Sequence, residues 1–326
     1  MRLVQEKTQD IKGTPMITIK RYNSNDSAAW NAFVDSSKNG TFMLKRGYMD
    51  YHADRFMDYS LMFYNDEKLV ALLPASIHGS ELRSHGGLTY GGFVTDLHMT
   101  VQLMLSIFEC LRQYLSQQGI TELLYKRVPA IYYLYPSDED LYALFRNDAI
   151  LIRKDISTTI YLPNKICFTE RRRRGVKKAM KEGLNISESQ DFEQYIAMLS
   201  NVLSKYHNAL PVHSAAELNM LAGRFPDNIK LYAAFKDGRM LAGVVMYETN
   251  KVAHTQYIAN SDEGRQCGAL DAVMDYLINE CYSDKEYFDF GISTEDEGRF
   301  LNEGLISQKQ EFGGRAIAYD FYELKV

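Results

Sequence analysis

Two stretches of the sequence, 171 residues apart, repeat the same pattern of apolar strands around a polar turn. In residues 60–77, two apolar stretches lie on either side of a polar turn at 65–68. In residues 231–247, two apolar stretches lie on either side of a polar turn at 236–239. Asp66 matches Asp237 at this offset. Two apolar stretches joined by a short polar turn are typical of a β-hairpin. The chain is therefore expected to contain two copies of one structural unit.

The segments that follow the two hairpins also correspond. Each hairpin is followed by a third apolar stretch, a glycine-containing segment, an amphipathic helix and a further strand. Apolar residues recur at helical spacing from Val101 to Leu115 in the first copy and from Leu270 to Cys281 in the second. A chance likeness between two generic α/β stretches is the alternative. Duplication explains a length of 326 residues, which exceeds what one core usually supports.

The order of elements in each copy resembles the core of the GNAT acyltransferase fold. In that fold the turn after the central strand presents backbone N–H groups at a helix N-terminus, which suits the pyrophosphate of coenzyme A. We predict an α/β (α+β) protein with two tandem GNAT-like domains, each a mixed twisted sheet flanked by helices. The domains are expected at residues 16–160 and 161–326, after a flexible N-terminal extension at residues 1–15.

Several segments resemble the Fem family of peptidyltransferases, whose members carry two GNAT-like domains in tandem. In order along the chain they are residues 41–56, 72–76, 84–93, 171–183, 206–214, 288–291 and 309–314. The resemblance implies an N-acyltransferase that moves an acyl or aminoacyl group from an activated donor to an amine. The donor would be acyl-CoA or aminoacyl-tRNA, and the acceptor a cell-envelope or polysaccharide precursor, as a small molecule or a nucleotide-linked sugar or peptide.

Two departures from the relatives leave the donor open. The interval 183–231 is too short for the long helical hairpin of the larger members that use aminoacyl-tRNA. Leu270 stands where GNAT proteins that bind acyl-CoA prefer a small residue. A catalytically silent module that binds a nucleotide sugar or RNA with the same fold is the alternative function. An acetyltransferase that uses only acyl-CoA and acts on a small amino sugar is a third hypothesis.

The charge of the chain is unevenly distributed. The formal net charge is only −5, which argues against a general coat for nucleic acid. Residues 165–182, however, contain eight Lys and Arg residues but only two Glu residues. Their local charge is +6, which leaves −11 for the rest of the chain. A helix from Thr169 to Gly183 would carry a basic and an apolar face: Arg171, Arg174, Lys178 and Lys181 on the first, Val176, Ala179 and Met180 on the second.

The basic face predicts a phosphate-rich partner, with a solvated helix surface as the alternative. That partner would be a tRNA acceptor end or a nucleotide-linked sugar. The resemblance to the Fem family favours Arg174 and Lys178 most. The predicted donor- or phosphate-binding residues are Arg171, Arg174 and Lys178 on the helix, and Gly264, Arg265 and Gly268 in the turn of the second copy.

Lys309 heads the string Lys-Gln-Glu-Phe-Gly, which is similar to a Lys-x-x-Phe-Gly motif near the C-terminus of Fem proteins. A cation there could stabilise the negative oxygen that forms when an amine attacks an ester or thioester. An exposed lysine at a strand edge is the alternative. Transfer to an amine also needs a base, for which His207, His213, Asp289 and Glu311 are candidates. We predict Lys309, Asp289 and His207 as the catalytic residues.

The acceptor site is expected on the first copy. Residues 84–92 contain four glycines, whose backbone can approach a ligand closely. Residues 48–59 combine aromatic rings with a guanidinium. A structural glycine-rich turn and ordinary helix packing are the alternatives. The predicted acceptor-binding residues are Tyr51, Arg55, His85 and Tyr90.

Composition bounds the cofactors and the location. The four cysteines are scattered without a C-x-x-C pair, and neither they nor the seven histidines show the ligand spacing of a zinc site. We therefore predict no metal and no tightly bound cofactor, with the donor acting as a co-substrate. The start of the sequence lacks a signal peptide and no apolar stretch is long enough for a membrane span. These features predict a cytoplasmic protein with reduced thiols; the oligomeric state is left open.

Overall fold

The computed structural model describes residues 17–207 and 210–326, without the side chains of residues 206 and 207. The predicted extension at residues 1–15 lies outside the described residues. The strands are β1 (Ile17–Arg21), β2 (Leu61–Asn65), β3 (Lys68–Leu73), β4 (Ser76–His78), β5 (Glu81–Arg83), β6 (Val94–Thr95), β7 (Glu122–Lys126), β8 (Ile150–Tyr161), β9 (Asn185–Ser189), β10 (Ile229–Lys236), β11 (Arg239–Glu248), β12 (Val252–Asn260), β13 (Tyr287–Ile292), β14 (Thr294–Glu295), β15 (Phe300–Leu301) and β16 (Arg315–Lys325).

Helices separate and cover these strands. They are α1 (Ser27–Ser36), α2 (Arg46–Met49), α3 (Val101–Gln117), α4 (Glu139–Arg146), α5 (Glu170–Lys181), α6 (Phe192–His207), α7 (Ala215–Arg224), α8 (Asp262–Cys267), α9 (Ala269–Tyr276) and α10 (Glu303–Gln310), and a π-helical turn at Leu277–Cys281 extends α9. Among the helices of the described ranges, none has both the length and the apolar character needed to span a membrane.

The strands form one large mixed sheet and one smaller sheet, with β14 and β15 as a separate hairpin. The large sheet has the order β4-β5-β7-β16-β8-β13-β12-β11-β10-β9, and the smaller has the order β1-β2-β3-β6. Most neighbours are antiparallel, whereas β5 with β7 and β12 with β13 run parallel. The predicted class, a mixed α/β fold with sheets flanked by helices, is confirmed.

The two predicted hairpins have matching backbone geometry. Asp66 in the first turn and Asp237 in the second both adopt a left-handed conformation, with φ of 53° and 50°. The register of β2 shifts between Phe63 and Tyr64, and that of β10 shifts 171 residues later, between Ala234 and Phe235. Because a β-bulge is a specific feature of a strand pair rather than a defect, its recurrence at the same offset supports duplication.

The last strand of each half joins the sheet of the other half. β8, from the end of the first half, pairs with β13, and β16, from the end of the chain, pairs with β7. β8 and β16 also pair with each other from Thr159 opposite Arg315 to Ile150 opposite Glu323. The predicted boundary at residues 160 and 161 therefore falls at the end of a strand that the second half uses. The division into two domains stays a prediction.

Aromatic side chains of the first half pack against the second half. The rings of Phe42 and Tyr48 lie 5.4 and 6.0 Å from that of Tyr247 on β11. The side chain of Arg224 donates to the carbonyl of Gly47 over 2.9 Å. Full burial of one such side chain contributes about 1.5–3 kcal/mol. The two halves thus share an apolar core as well as a sheet.

Helix α5 buries a different stripe from the one expected. Arg172, Val176 and Ala179 face the protein, whereas Met180 is 70% exposed. The prediction for Met180 was wrong. The buried stripe begins one turn earlier, at Arg172, and ends at Ala179, so Met180 lies outside it. The guanidinium of Arg172 is neutralised there by Asp271 at 2.8 Å and by a second carboxylate at the same distance. Ion pairing makes a buried arginine tolerable.

Two glycines bring α5 against the junction of α8 and α9. Gly268 has a φ of +78°, and a Cβ there would lie 2.4 Å from the carbonyl oxygen of Gly175 on α5. We expect Gly268→Ala to destabilise the protein more than Gly119→Ala. Gly119 has a φ of +71° and open space around it. The Gly119→Ala variant should therefore lose only the unfolding free energy that alanine costs in a left-handed conformation, about 1–2 kcal/mol. Crowding at residue 268 should add about 1–3 kcal/mol.

Urea unfolding of the two variants measures this difference. Equal losses of unfolding free energy would mean that α5 does not pack closely at Gly268.

Candidate active site

The central strands of the second half separate part of the way along their length. β12 and β13 pair from Val252 opposite Tyr287 to His254 opposite Asp289. Beyond that point β13 turns away at Gly291, which has a φ of +73°, and Ile292 pairs with β8. Backbone groups at the edges of such an opening lack a strand partner, so a side chain or a ligand has to satisfy them.

A cavity of ≈ 660 Å³ lies at this opening. Its walls come from both halves. The second half supplies His254, Thr255, Phe290, Gly291 and Tyr319 among others, and the first half supplies Arg83, Lys126 and Arg153. Among the described side chains, none of the predicted site residues lines this cavity, although the glycine-rich loop of the first half does so through Gly86 and Leu88.

A buried carboxylate supports one wall of the cavity. Asp289 is fully buried, and its Oδ1 accepts hydrogen bonds from the hydroxyls of Ser157 and Thr159. Its Oδ2 accepts from Tyr319 at 2.9 Å and from Nδ1 of His254 at 2.7 Å. Burial alone would raise the pKa of Asp289, but these hydrogen bonds and the nearby imidazole lower it below its ordinary value. The carboxylate is therefore ionised at neutral pH.

His254 forms a dyad with Asp289 and faces the cavity. Because Asp289 accepts from Nδ1, the Nε2 atom of the neutral imidazole carries a free lone pair. Within residues 17–207 and 210–326, no hydrogen bond to this Nε2 is found. A Cβ on Gly291 would lie 3.3 Å from Cε1 of His254. Glycine at position 291 thus leaves room for the ring beside the opening.

His254 is not among the residues predicted from the sequence. The one local signal was a histidine inside an otherwise apolar central strand. Its role depends on the parallel pairing of β12 with β13, which brings Asp289 alongside it across 35 residues of chain. No local pattern specifies that pairing.

Lys309 lies on α10 behind the same opening. It is 5% exposed, and its Nζ donates to the carbonyls of Gly291 at 2.9 Å and Ile292 at 2.7 Å. Burial lowers the pKa of Lys309 to about 8, against the opposing effect of Asp289. The structure therefore brings together Lys309 and Asp289, two of the three predicted catalytic residues. Their catalytic role stays a prediction.

A second, partly buried lysine binds the glycine-rich segment of the first half. Nζ of Lys126 donates to the carbonyls of His85, Gly86 and Leu88 at 3.1, 3.2 and 2.9 Å. Burial lowers the pKa of Lys126 to about 8. Three carbonyl acceptors on one ammonium fix the course of this loop, and Gly86 and Leu88 line the cavity. The sequence analysis missed Lys126.

Two of the predicted acceptor-binding side chains lie in the interior. His85 is 2% exposed, and burial lowers its pKa to about 3. Tyr90 is 1% exposed and donates to Thr41 over 3.1 Å. Neither is on the wall of the cavity in the described part of the chain. The prediction is corrected: the backbone of this loop faces the cavity, while the side chains pack inwards.

The other two predicted acceptor-binding side chains bridge the halves. The hydroxyl of Tyr51 shares a hydrogen bond of 2.6 Å with Nε2 of His213, whose Nδ1 shares one of 2.5 Å with Tyr257. Arg55 pairs with Glu217 at 2.7 Å. Burial lowers the pKa of His213 to about 4. These residues lie at the junction of the halves instead of on the wall of the described cavity, so direct acceptor contact is not supported.

The remaining base candidates differ in position. The side chain of His207 lies outside the described residues. Glu311 pairs with Arg172 of α5 at 2.8 Å, which places it on the side of the sheet away from His254. Of the three base candidates whose side chains are described, only Asp289 is hydrogen-bonded to residues that line the cavity, His254 and Tyr319.

The amides of the three residues predicted to bind the donor in this turn are all engaged. The N–H of Gly264 donates to Oγ of Ser261 at 3.0 Å, that of Arg265 to the carbonyl of Ser261, and that of Gly268 to the carbonyl of Gly264. Gly268 is also covered by Gly175. The prediction that this turn cradles a phosphate is corrected, because its glycines serve close packing and a helix end.

The three predicted basic residues of α5, Arg171, Arg174 and Lys178, are exposed. Helix α5 packs on α9, which covers the sheet face that carries Phe288 and Phe290. Since side chains alternate along a strand, His254 and Asp289 project to the opposite face. The basic surface and the dyad thus lie on opposite sides of the opening. Among the described residues, no cluster of His, Cys, Asp and Glu suited to a metal ion is present.

Known proteins resemble the chain in sequence over part of its length and in fold over nearly all of it. Residues 169–299 match the family model described as an acetyltransferase (GNAT) domain. No curated protein matches the sequence. The structure of FemX superposes with a TM-score of 0.69 at 10% identity, covering 95% of this chain and 97% of that one.

Two further solved structures superpose almost as well. The structure of L-PGS from Bacillus licheniformis gives a TM-score of 0.61 at 12% identity and covers 91% of both chains. A conserved protein of unknown function from Bacteroides thetaiotaomicron gives 0.62 at 12% identity, over 95% of this chain and all of that one. At these identities the likeness concerns the fold.

We expect Asp289→Asn to destabilise the protein at neutral pH, by about 1–3 kcal/mol for each donor that loses its acceptor. The pKa of Asp289 is lowered on folding, so the carboxylate stabilises the folded state above its ordinary pKa of 3.8. That stabilisation is lost as pH falls through the folded value. The difference in unfolding free energy between the parent and Asp289→Asn, measured by urea unfolding, should therefore narrow below pH 4.

The exposed substitution Asp35→Asn is the control and should leave the same pH dependence as the parent. A gap that stays constant from pH 7 to pH 3 would show that Asp289 is not an ionised acceptor in the folded state.

Proposed function

We propose that this chain, which carries a GNAT acyltransferase domain in a Fem-like tandem fold, transfers an aminoacyl group from aminoacyl-tRNA to an amine on a cell-envelope or polysaccharide precursor. The coarser activity, acyl transfer from an activated donor, is the premise. The observation that carries the proposal is the His254–Asp289 dyad at the opening between β12 and β13. A cytoplasmic location belongs to the same proposal, since tRNA is found there.

The dyad supplies the base that the reaction needs. The nitrogen of a neutral acceptor amine in the cavity would bond to the donor's carbonyl carbon, and the electrons of the C=O bond would move to oxygen. As this bond forms, the nitrogen would give a proton to Nε2 of His254, and Asp289 would stabilise the resulting imidazolium. Collapse of this tetrahedral species breaks the bond to the donor's ribose oxygen, which leaves with the proton that His254 returns. Holding amine and ester together supplies much of the acceleration.

Lys309 supports the opening where the carbonyl would lie. Its ammonium binds the carbonyls of Gly291 and Ile292 and uses two of its three N–H donors. The third N–H has no acceptor among the described residues, and in this proposal it would donate to a developing oxyanion. In a site with little water, a positioned cation of this kind stabilises the transition state strongly.

The choice of aminoacyl-tRNA rests on the surroundings of the turn before α9. The amides of Gly264, Arg265 and Gly268 are engaged, and the first turn of α8 carries the carboxylates of Asp262 and Glu263, which pair with Lys205 and Arg239. Leu270 is buried beside them. By contrast, the exposed face of α5 carries Arg171, Arg174, Lys178 and further cations. Their surface ion pairs with Glu170 are weak, so phosphates can compete for them.

The acceptor side is supported by the first half. The glycine-rich loop held by Lys126 exposes backbone to the cavity opposite His254. The class of acceptor, an amine on an envelope or polysaccharide precursor, comes from the resemblance to Fem proteins.

We expect His254→Gln to lower kcat for amide formation by about 10²–10⁴, the usual contribution of a general base. Transfer of a radiolabelled aminoacyl group to an amine acceptor measures it. His98→Gln, on the surface of the first half, is the matched control. Full activity in His254→Gln would remove the dyad from the mechanism.

We expect the double variant Arg174→Glu and Lys178→Glu to raise KM for aminoacyl-tRNA about tenfold, since each lost phosphate contact weakens a salt-dependent interaction. The effect should shrink as salt is raised from 50 to 200 mM. Lys68→Glu, an exposed change in the first half, is the control. If the protein transfers an acetyl group from acetyl-CoA, and the double variant does so as well as the parent, the assignment of aminoacyl-tRNA as the donor would be overturned. RNA binding without transfer would favour the silent binding module.

A further inference from the structure

A buried hydroxyl on the cavity wall has no hydrogen-bond partner in the part of the chain that the structure describes. Thr255 follows His254 on β12 and is 4% exposed. It lines the cavity, and its Oγ has no partner among the described residues. Buried polar groups in folded proteins are nearly always hydrogen-bonded, so an exception at a cavity calls for an explanation. A ligand that supplies the missing partner is such an explanation.

Thr255 stands at the point where the two strands part. His254 is the last residue of β12 that pairs with β13, and Thr255 is the next. On its other edge Thr255 pairs with Met246 of β11, so the edge towards β13 is open. Because successive side chains alternate in direction, Thr255 projects to the face opposite His254. The base therefore lies on one side of the opening and the hydroxyl on the other.

Lys309 lies next to the same opening. A Cβ on Gly291 would lie 3.8 Å from the carbonyl oxygen of Thr255, and the Gly291 carbonyl accepts from Nζ of Lys309. A carbonyl group inserted between β12 and β13 would thus have a hydroxyl donor on one strand and an ammonium beside the other. This is the arrangement that a developing oxyanion requires.

We propose that Thr255 donates a hydrogen bond from its hydroxyl to the carbonyl oxygen of the acyl group as that oxygen becomes negative. The inference rests on the proposed acyl transfer at this opening, but it holds for either donor. When the amine nitrogen bonds to the carbonyl carbon, the C=O electron pair moves to oxygen and the amine proton to His254. The C=O bond then re-forms as the donor oxygen or sulfur leaves with a proton. Thr255 keeps its own proton throughout.

The test compares Thr255→Val, which keeps the shape and removes the hydroxyl, with Thr255→Ser, which keeps the hydroxyl. We expect Thr255→Val to lower kcat about 10²–10³-fold, with KM for the acceptor within about twofold because the bond forms only in the transition state. Thr255→Ser should recover most of the loss. The pH dependence of kcat should stay that of the parent, since His254 is unchanged.

Thr158→Val is the matched control. Thr158 is also fully buried, and its hydroxyl has no partner in the described part of the chain, but it does not line the cavity. Its kcat should equal that of the parent. A second measurement is the affinity for a phosphonate analogue of the tetrahedral intermediate. Thr255→Val should weaken that affinity by a factor similar to its loss of kcat, whereas a purely structural role would leave it unchanged.

The outcomes distinguish a wrong role for Thr255 from a wrong proposed function. Parental kcat in Thr255→Val, or equal loss in Thr255→Ser and Thr255→Val, overturns the role of Thr255 while the proposed function stands. Absence of transfer by the parent protein from either donor class overturns the proposed function itself, and the role of Thr255 with it.

Discussion

The pairing of β8 with β16 connects the two halves and builds the site at the same time. β8 comes from the end of the first half and supplies the hydroxyls of Ser157 and Thr159 to Asp289. β16 comes from the end of the second half and supplies Tyr319. A fully buried carboxylate is costly unless several donors satisfy it. The exchanged strands provide those donors, so the dyad forms only when both halves are in place.

The sheet also separates the chemistry into two sides. Because strand side chains alternate, His254 and Asp289 face the cavity shared with the first half, whereas Thr255 lies on the opposite face of β12 and Lys309 on α10. The parting of β12 and β13 joins these sides through an opening. In the proposed reaction, an amine and an activated carbonyl would approach from different directions, so the proposed base His254 and the proposed oxyanion donors Thr255 and Lys309 would not compete for one position.

Much of the fold could be predicted from the sequence, and less of the site. The repeat and the amphipathic helix near Val101 depend on local periodicity, which a sequence displays directly. Lys309 and Asp289 were found through short motifs. His254, Thr255 and Lys126 were missed because their environments come from strands and loops distant in the chain. Tyr90 and His85 were misjudged because a glycine-rich loop can turn its side chains inwards once a lysine binds its carbonyls.

The sequence by itself determined the duplicated unit, the concentration of charge on α5 and the candidate lysine, since each follows from spacing or composition along the chain. Only the tertiary structure decided that Gly268 packs against Gly175 instead of cradling a phosphate. It also decided that His254, not His213, lines the cavity. The physical reason is that hydrogen-bond partners, burial and strand register are set by contacts between distant segments, and a linear pattern carries no record of them.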